Sequence, residues 1–170
     1  AGRGISNQQF PETAPTIVLV AGYEFKAISN PKYISPISEP FGKYENNPNG
    51  IDDGTLKTGS MVTAFANAYY ANNGNIPIIA VSASKGGSGI DDWQPNTAYL
   101  NDAVARFNAA KTFAISRGYT IRHMFLVWCQ GEHDWETYST YSARWQNMFD
   151  VFKANGIEKC LMVRIGNTNT

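Results

Sequence analysis

The sequence has few charged residues and no excess of either sign. Of its 170 residues, 14 are Lys or Arg, 14 are Asp or Glu, and charged residues make up 16% of the chain. A nucleic-acid-binding surface needs clustered Lys and Arg side chains, so nucleic acid is not expected as a partner. A neutral or weakly charged ligand fits this composition better.

Long hydrophobic runs are also missing. No apolar run approaches the roughly 20 residues of a membrane-spanning helix, so no membrane partner is expected. The N-terminal stretch AGRGISNQQF does not have the pattern of a signal peptide. Hydrophobic residues nevertheless make up 43% of the chain, which is enough for a globular core, and we expect residues 1–170 to form a single domain.

Cysteine is scarce, with two residues, Cys129 and Cys160. Each falls inside a predicted strand, one near its end and the other near its start. If these strands are parallel neighbours, the offset is about six residues, or roughly 20 Å at about 3.3 Å per residue. A disulfide spans about 4.4–6.8 Å between Cα atoms, so we predict two reduced, buried thiols. They indicate nothing about the cellular compartment.

From residue 59 onward, helical and strand patterns alternate regularly. Helices are predicted over 59–73, 97–117 and 135–154, and strands over 76–84, 121–129 and 157–166. Such alternation with short connections predicts an α/β fold, a parallel sheet with right-handed crossovers and three layers. Before it, residues 16–28 predict a strand or a hairpin, and the Pro-, Asn- and Gly-rich residues 29–54 a long excursion over the sheet.

In the first predicted helix, apolar spacing places one set of side chains on the buried face: Met61, Val62, Phe65, Ala68 and Tyr69. Asp134 is predicted to cap the start of the last helix. His123 falls early in its strand and is interpreted as structural.

Polar and small residues follow the predicted strands at one end only: SASKGGSGIDDW, CQGEHDW and GNTNT. Parallel sheets bind ligands beyond the carboxyl ends of their strands, so any site is expected at this edge. Residues 84–89 can present backbone N–H donors, and Gln130 is an uncharged side-chain donor of the kind an oxyanion hole uses. We expect Gln130 to lie within about 10 Å of the glycine turn, close enough to share a ligand.

Other interpretations of these segments stay open. The glycine run could cradle a phosphate or be an ordinary turn, although it matches neither GxxxxGK[ST] nor GxGxxG. A metal site on Glu132, His133 and Asp134 matches no common zinc spacing, so neither metal nor cofactor is expected. His133 is a weak candidate for a general base. Trp93 is interpreted as core or cleft wall, with stacking on a sugar ring as the functional alternative.

At this point two linked motifs carry a family resemblance. WCQGEHD resembles the W-x-QGE-x-D motif of SGNH-hydrolase carbohydrate esterases, which include sialate O-acetylesterases and acetyl xylan esterases. SASKGGSGIDDW resembles that family's preceding GG-[ST]-x-I-x-x-W block, TGSMVTAFANAYY its G-x-x-x-x-F-A helix and ISPISEP the segment before that helix. The resemblance covers roughly residues 30–165. It implies a flavodoxin-like three-layer sheet with helices on both faces, and it favours an extracellular or surface location.

The resemblance implies hydrolysis of acetyl esters on sugars, with an acetylated carbohydrate as the ligand. In such esterases a serine attacks the ester, a histidine takes its proton, and N–H donors hold the oxyanion. By position, the donors are Gly86 or Gly87 together with Gln130, and Glu132 supports the loop. Ser88 and Trp93 are the residues expected to bind substrate.

The chain also departs from the family pattern. The family's nucleophile lies in a GQSN-type turn, and AGRGISN resembles the tail of that segment, so the nucleophile is expected just upstream of Ala1. Ser6 is a rival nucleophile, but too few residues precede it to form a presenting strand. The D-x-x-H block that carries the family's histidine has no counterpart. Residues 1–170 are therefore expected to be incomplete at both ends and inactive alone.

Two other functions are compatible with the sequence. One is a non-catalytic carbohydrate-binding or structural module, as in a surface or phage tail protein, that keeps the esterase fold. The other is a phosphate or flavin binder on a flavodoxin-like sheet. The sugar, the acyl position and the oligomeric state are left open by the sequence.

Overall fold

A computed structural model describes residues 16–18, 20–47, 60–131, 133–134 and 138–163. The strands are β1 (Gly22–Lys26), β2 (Asn30–Pro36), β3 (Ile78–Val81), β4 (Phe125–Trp128) and β5 (Lys159–Met162). The helices are α1 (Val62–Asn72), α2 (Ala98–Ser116) and α3 (Tyr138–Ala154), with a 3-10 turn at Ile90–Trp93. All six elements predicted after residue 59 are confirmed, and their bounds are narrower wherever the flanking residues are described.

The described strands form two sheets rather than one. β1 pairs antiparallel with β2 and parallel with β3, and β4 pairs parallel with β5. The orders are β2-β1-β3 and β4-β5. The α/β class is therefore confirmed, whereas the predicted single parallel sheet in three layers is not, because one sheet is mixed.

The antiparallel strand comes from the segment predicted as a loop excursion. Of the two alternatives predicted for residues 16–28, the strand is the one found, as β1, and its antiparallel partner β2 comes from residues 29–54. Pro31 and Pro36 argued against a strand, because proline cannot donate to a ladder. They are tolerated since β2 lies at the outer edge of its sheet.

Two buried carboxylates stabilise the β1–β2 hairpin by accepting backbone hydrogen bonds. Glu45, 1% exposed, accepts hydrogen bonds from the backbone N–H groups of Ile28 and Ser29, both at 3.0 Å. Glu24, also 1% exposed, accepts one from the Gly42 N–H at 2.8 Å. Backbone donors satisfy these carboxylates, as buried charges require.

Helix α1 packs closely against β1. A methyl group on Gly22 would come within 2.7 Å of Ile37 Cδ1 and 2.9 Å of Ala66 Cβ, so glycine allows this approach. The buried residues of α1 are Thr63 and Ala66. Ala68, predicted on the buried face, is exposed. The other predicted residues of this face, Met61, Val62, Phe65 and Tyr69, are partly buried, and the Thr63 hydroxyl donates to Glu39 Oε1 at 2.7 Å.

Helices α2 and α3 pack around a common hydrophobic core, separate from the contact between α1 and β1. Its buried side chains are Ile90, Trp93, Leu100, Ala103, Trp128, Met148, Phe152 and Ile157. Helix α2 also fixes the end of β3, because the buried Arg106 donates to the Ser82 carbonyl at 3.1 Å and pairs with Asp102 at 3.0 Å.

The two cysteines are free, as predicted. The register pairs Leu126 with Cys160, so Cys129 lies three residues further along rather than the predicted six. Both thiols are half-buried rather than buried. Burial raises the pKa of the Cys160 thiol to about 11.

Among the described helices, none combines the length and the hydrophobicity that crossing a membrane would take.

Candidate functional site

The loops that follow β3 and β4 meet. The side-chain Nε2 of Gln130 donates to the Ser88 carbonyl at 3.1 Å, and Ser88 directly follows Gly87. Gln130 and the glycine turn therefore lie in contact, well inside the expected 10 Å. The site region lies beyond the carboxyl ends of two strands, where ligands of open α/β sheets bind.

The glycine turn, residues 84–89, is held in place by hydrogen bonds of the Ser88 hydroxyl. Gly87 has φ +73°, a left-handed conformation that glycine adopts without strain. The Ser88 hydroxyl donates to the Lys85 carbonyl at 3.0 Å and accepts from Trp93 Nε1 at 2.9 Å. Within the described part of the chain, the N–H groups of Gly86 and Gly87 have no hydrogen-bond acceptor. Two backbone donors are thus held in place, with no acceptor among the residues that the structure describes.

The amide of Gln130 is held at both ends. Its Nε2 donates to the Asp134 carboxylate as well as to Ser88, and its Oε1 accepts from the Tyr141 hydroxyl at 2.7 Å. The Tyr141 oxygen in turn accepts from Trp128 Nε1 at 3.0 Å. These contacts fix which way the amide faces.

Tyr141 was missed by the sequence interpretation. Tyr141 falls in the helix predicted over 135–154, where the apolar spacing does not mark it as a site residue. The sequence signal that could have identified it is the tyrosine hydroxyl, because a buried tyrosine needs a hydrogen-bond partner for its hydroxyl whereas phenylalanine has no such group.

The predicted role of Asp134 as the cap of the last helix concerns residues 135–137, which lie outside the described residues, and it stays a prediction. The Asp134 carboxylate accepts from the Ile90 N–H at 3.0 and 3.1 Å. The 3-10 turn at Ile90–Trp93 has N–H groups without partners inside the turn, and Asp134 satisfies one of them. Asp134 is 8% exposed, and its hydrogen bond to Ile90 connects the loop after β4 to the loop after β3.

Ser88 and Trp93, expected to bind substrate, lie beneath the surface of the site. They are 6% and 3% exposed. The Trp93 ring packs edge-on against Trp128 with centroids 5.5 Å apart. This burial favours the interpretation of Trp93 as a wall that supports the glycine turn, and substrate contact by either residue stays a prediction.

The remaining candidates are placed differently. Ser6 and Glu132 lie outside the described residues. His133 is exposed beside Gly89 and lines the same cavity as Gly87 and Gln130, so it lies at the site, and its role as a general base stays a prediction. His123 lies before the start of β4, at the opposite end from the site, with Nδ1 3.1 Å from Glu158 Oε2; this hydrogen bond lowers the pKa of Glu158. Among the described His, Cys, Asp and Glu side chains, no three cluster as metal ligands would.

A cavity of about 1030 Å³ runs between β3 and β4 and reaches the site. Strand residues 78–81 and 125–128 form its two sides, and α2 contributes Phe107 and Ala110. Gly86, Gly87 and Gln130 bound the end beyond the strand carboxyl ends. The site thus stands at one end of a largely apolar channel.

Comparison with known proteins gives one family and one fold. The family model described as "carbohydrate esterase, sialic acid-specific acetylesterase" matches residues 2–169. No curated protein matches the chain. A protein of Arabidopsis thaliana solved by X-ray crystallography superposes with a TM-score of 0.68 at 19% sequence identity. The alignment covers 94% of this chain and 61% of that one, and at this identity the similarity concerns the fold alone.

Proposed function

The chain belongs to the carbohydrate esterase family of sialic acid-specific acetylesterases, and from this membership we propose that it builds the oxyanion-binding side of an active site for acetylated carbohydrates. Family membership supports a carbohydrate esterase-type function in general. The reaction proposed is hydrolysis of an acetyl ester on a sugar by a serine nucleophile.

The observation that carries the proposal is the pair of available N–H groups at Gly86 and Gly87, in contact with the loop of Gln130. When a serine attacks an ester carbonyl, negative charge develops on the carbonyl oxygen. Fixed N–H donors stabilise that charge because they need no reorganisation during the reaction. The turn is held by Ser88 and Trp93, so its donors are preorganised.

Gln130 is proposed as the third donor. One of its N–H groups now bonds to the neutral Ser88 carbonyl at 3.1 Å. A hydrogen bond to an anionic oxygen is about twice as strong as one to a neutral carbonyl, so this N–H can turn to the oxyanion at a net gain. The other N–H stays with the Asp134 carboxylate, which keeps the amide in place.

The nucleophile and the base are proposed to come from parts of the polypeptide outside residues 1–170. The chain spans 61% of the length of the structurally similar Arabidopsis protein, which leaves room for further segments in a complete protein. The histidine would take the serine proton and return it to the sugar oxygen as the acetyl group transfers. Residues 1–170 alone are proposed to be inactive. Ser6 and Glu132 keep their expected roles as rival nucleophile and loop support.

The test uses the complete natural polypeptide, assayed for acetate release from an acetylated sugar and for hydrolysis of p-nitrophenyl acetate. Gln130→Ala is expected to lower kcat by about a hundredfold or more, the typical cost of one lost oxyanion donor. Gln146→Ala is the matched control, because Gln146 is exposed and bonds only locally, to Asp150 on the same helix. Unchanged turnover in Gln130→Ala would remove Gln130 from the mechanism.

The same assay addresses the non-catalytic alternative. A carbohydrate-binding module that kept the fold would release no acetate from any acetylated sugar, yet would bind the sugar. Acetate release by the complete chain, reduced by Gln130→Ala and not by Gln146→Ala, contradicts the module.

A further inference from the structure

The imidazole of His133 lies at the site and has no bonding partner there. It is exposed, and it lines the same cavity as Gly87 and Gln130. Among the residues that the structure describes, no hydrogen bond or ion pair involves this side chain. The other histidine, His123, is by contrast hydrogen-bonded to Glu158. The described contacts therefore give the His133 side chain no structural role.

The backbone that carries this imidazole is fixed. The Asp134 N–H donates to the Gly131 carbonyl at 3.1 Å, which closes a turn in which His133 directly precedes Asp134. Residues at both ends of the turn bond to the loop after β3, Gln130 to the Ser88 carbonyl and Asp134 to the N–H that follows Gly89. The turn therefore holds the imidazole in a set position relative to the glycine turn.

The imidazole is close to the proposed oxyanion donors. A methyl group built on Gly89 would be 3.2 Å from His133 Cδ2, so the ring borders this glycine. Gly87 precedes Gly89 by two residues, and two residues span at most about 7–8 Å between Cα atoms. A group bound at the N–H of Gly87 and a group bound at the imidazole can therefore belong to one small ligand.

The exposure of the ring indicates which part of an ester it can contact, and this step rests on the proposed function. In that function the N–H groups of Gly86 and Gly87 hold the ester carbonyl oxygen. The acetyl group ends in a single methyl and needs little room. The sugar is larger, and its hydroxyl groups lose hydration favourably only where they find hydrogen-bond partners. We therefore expect the sugar on the open side of the site, where the imidazole of His133 is exposed.

A neutral imidazole suits a sugar hydroxyl group. One ring nitrogen donates a hydrogen bond and the other accepts one, and a hydroxyl group can also do both. The backbone of His133 is already fixed, so binding has to order only a short side chain. The loss of conformational entropy on binding is correspondingly small.

The contacts favour this role over that of a general base. A catalytic histidine is oriented by a group that accepts a hydrogen bond from its other ring nitrogen. The neighbouring Asp134 carboxylate accepts from the Ile90 N–H and from the Gln130 amide, and not from the imidazole. Among the described residues, no group orients the His133 ring in this way.

We propose that His133 is a specificity residue: its imidazole forms a hydrogen bond with a hydroxyl group of the sugar whose acetyl ester is cleaved, and it takes no part in proton transfer. The motif that WCQGEHD resembles leaves position 133 open. A different residue there can therefore change the choice of sugar while the rest of the motif is kept.

The test compares two substrates on the complete natural polypeptide. One is p-nitrophenyl acetate, which has no sugar. The other is O-acetylated sialic acid or an O-acetylated xylo-oligosaccharide, whichever is hydrolysed faster. His133→Ala is expected to raise KM for the sugar ester about threefold to tenfold, the range for one neutral hydrogen bond, with kcat unchanged. Its kinetics on p-nitrophenyl acetate should match those of the parent.

Three further variants show what the side chain supplies. His133→Gln keeps a donor and an acceptor and should restore most of the affinity for the sugar ester. His133→Phe keeps a ring without nitrogen atoms and should behave like His133→Ala. His123→Ala is the matched control, because His123 lies at the opposite end from the site and bonds to Glu158. Its KM for the sugar ester should equal that of the parent.

A binding measurement separates this inference from the reaction. The same sugar without acetyl groups is titrated into the complete polypeptide, and NMR follows the imidazole signal that His133→Ala removes. That signal should shift, and the signal that His123→Ala removes should not. A shift without acetate release would support the sugar contact and contradict the esterase reaction. Acetate release with an unmoved His133 signal would overturn the inference and leave the esterase reaction standing.

The kinetic results can overturn the proposal as well. Equal KM values for the parent and His133→Ala on the sugar ester would exclude the contact. A fall in kcat on both substrates would identify His133 as a general base instead. Recovery by His133→Phe as well as by His133→Gln would show that the ring packs against the sugar without the proposed hydrogen bond. If neither sugar is deacetylated and neither moves the imidazole signal, the inference and the proposed function both fail.

Discussion

Tyr141 and Gln130 are joined by a hydrogen bond of 2.7 Å, from the phenol to the side-chain carbonyl oxygen of the amide. Trp128 donates to the same phenol oxygen, so the tyrosine proton is directed at Gln130. A side chain of α3 thus fixes the orientation of a group at the end of β4. Tyr141 acts on the site through Gln130, as a positioning residue.

Replacing Tyr141 by Phe in the complete polypeptide removes that hydrogen bond and keeps the ring. We expect kcat to fall roughly threefold to tenfold, which is the range for one neutral hydrogen bond, while KM stays constant. Tyr119→Phe is the control, because Tyr119 is exposed at the far end of the cavity. Equal kcat values for the two variants on p-nitrophenyl acetate would contradict the positioning role.

Replacing Asp134 by Ala is expected to destabilise the protein by about 2–3 kcal/mol, because the Ile90 N–H and one Gln130 N–H lose their acceptor in a buried place. Asp91→Ala is the control: its ion pair with Arg144 is exposed and of a kind worth about 0–1 kcal/mol. Urea unfolding of both variants measures the difference. A loss no larger for Asp134→Ala than for Asp91→Ala would show that the tether does not stabilise the fold.

Gly22→Ala should destabilise the fold by about 1–3 kcal/mol, because the new methyl group overlaps Ile37 and Ala66. The nearest atom is Ile37 Cδ1 at 2.7 Å, and valine lacks this atom. Adding Ile37→Val should therefore cost less in the Gly22→Ala background than in the parent. Strictly additive losses in a double-mutant cycle by urea unfolding would argue against this close contact.

The thiol of Cys160 should react slowly with iodoacetamide at pH 8, because burial raises its pKa to about 11 and the thiolate is the reactive form. The pKa of this thiol is higher in the folded state, about 11, than in the unfolded state, near 9. The stability that the protonated thiol contributes is therefore fully present below pH 9 and is lost as the pH rises towards 11. Mass spectrometry of the labelled peptide against pH gives the midpoint. Cys160→Ala should remove this part of the alkaline loss of stability, and labelling as fast as that of glutathione at pH 8 would refute the shift.

The sequence predicted the helices and the strands that follow residue 59 because their apolar patterns are strong over residues 59–163. It also placed Gln130 and the glycine turn at one edge, since both follow buried strands. It missed β2, whose prolines are tolerated only because the strand has one neighbour, a fact of the folded sheet. It did not predict that Asp134 accepts from the Ile90 N–H, because that group lies 44 residues away and is brought near only by folding.

The division of the described strands into two sheets could not be predicted from the sequence either. Strand patterns predict how many strands form and not which neighbours they take. β1 pairs in parallel with β3, with Gly22 opposite Ile78, and no local pattern in either strand encodes this choice of neighbour.

The outer edge of the sheet has a bearing on how the protein behaves at high concentration. β2 carries Pro31, Lys32 and Pro36 along an exposed border, and both prolines lack the N–H that another molecule would need for ladder pairing. Edge-to-edge aggregation through this border is therefore disfavoured, even though Tyr33 beside it is 64% exposed. The two prolines of β2 therefore protect this edge against pairing with a second molecule, which keeps the folded protein from adding strands at its border.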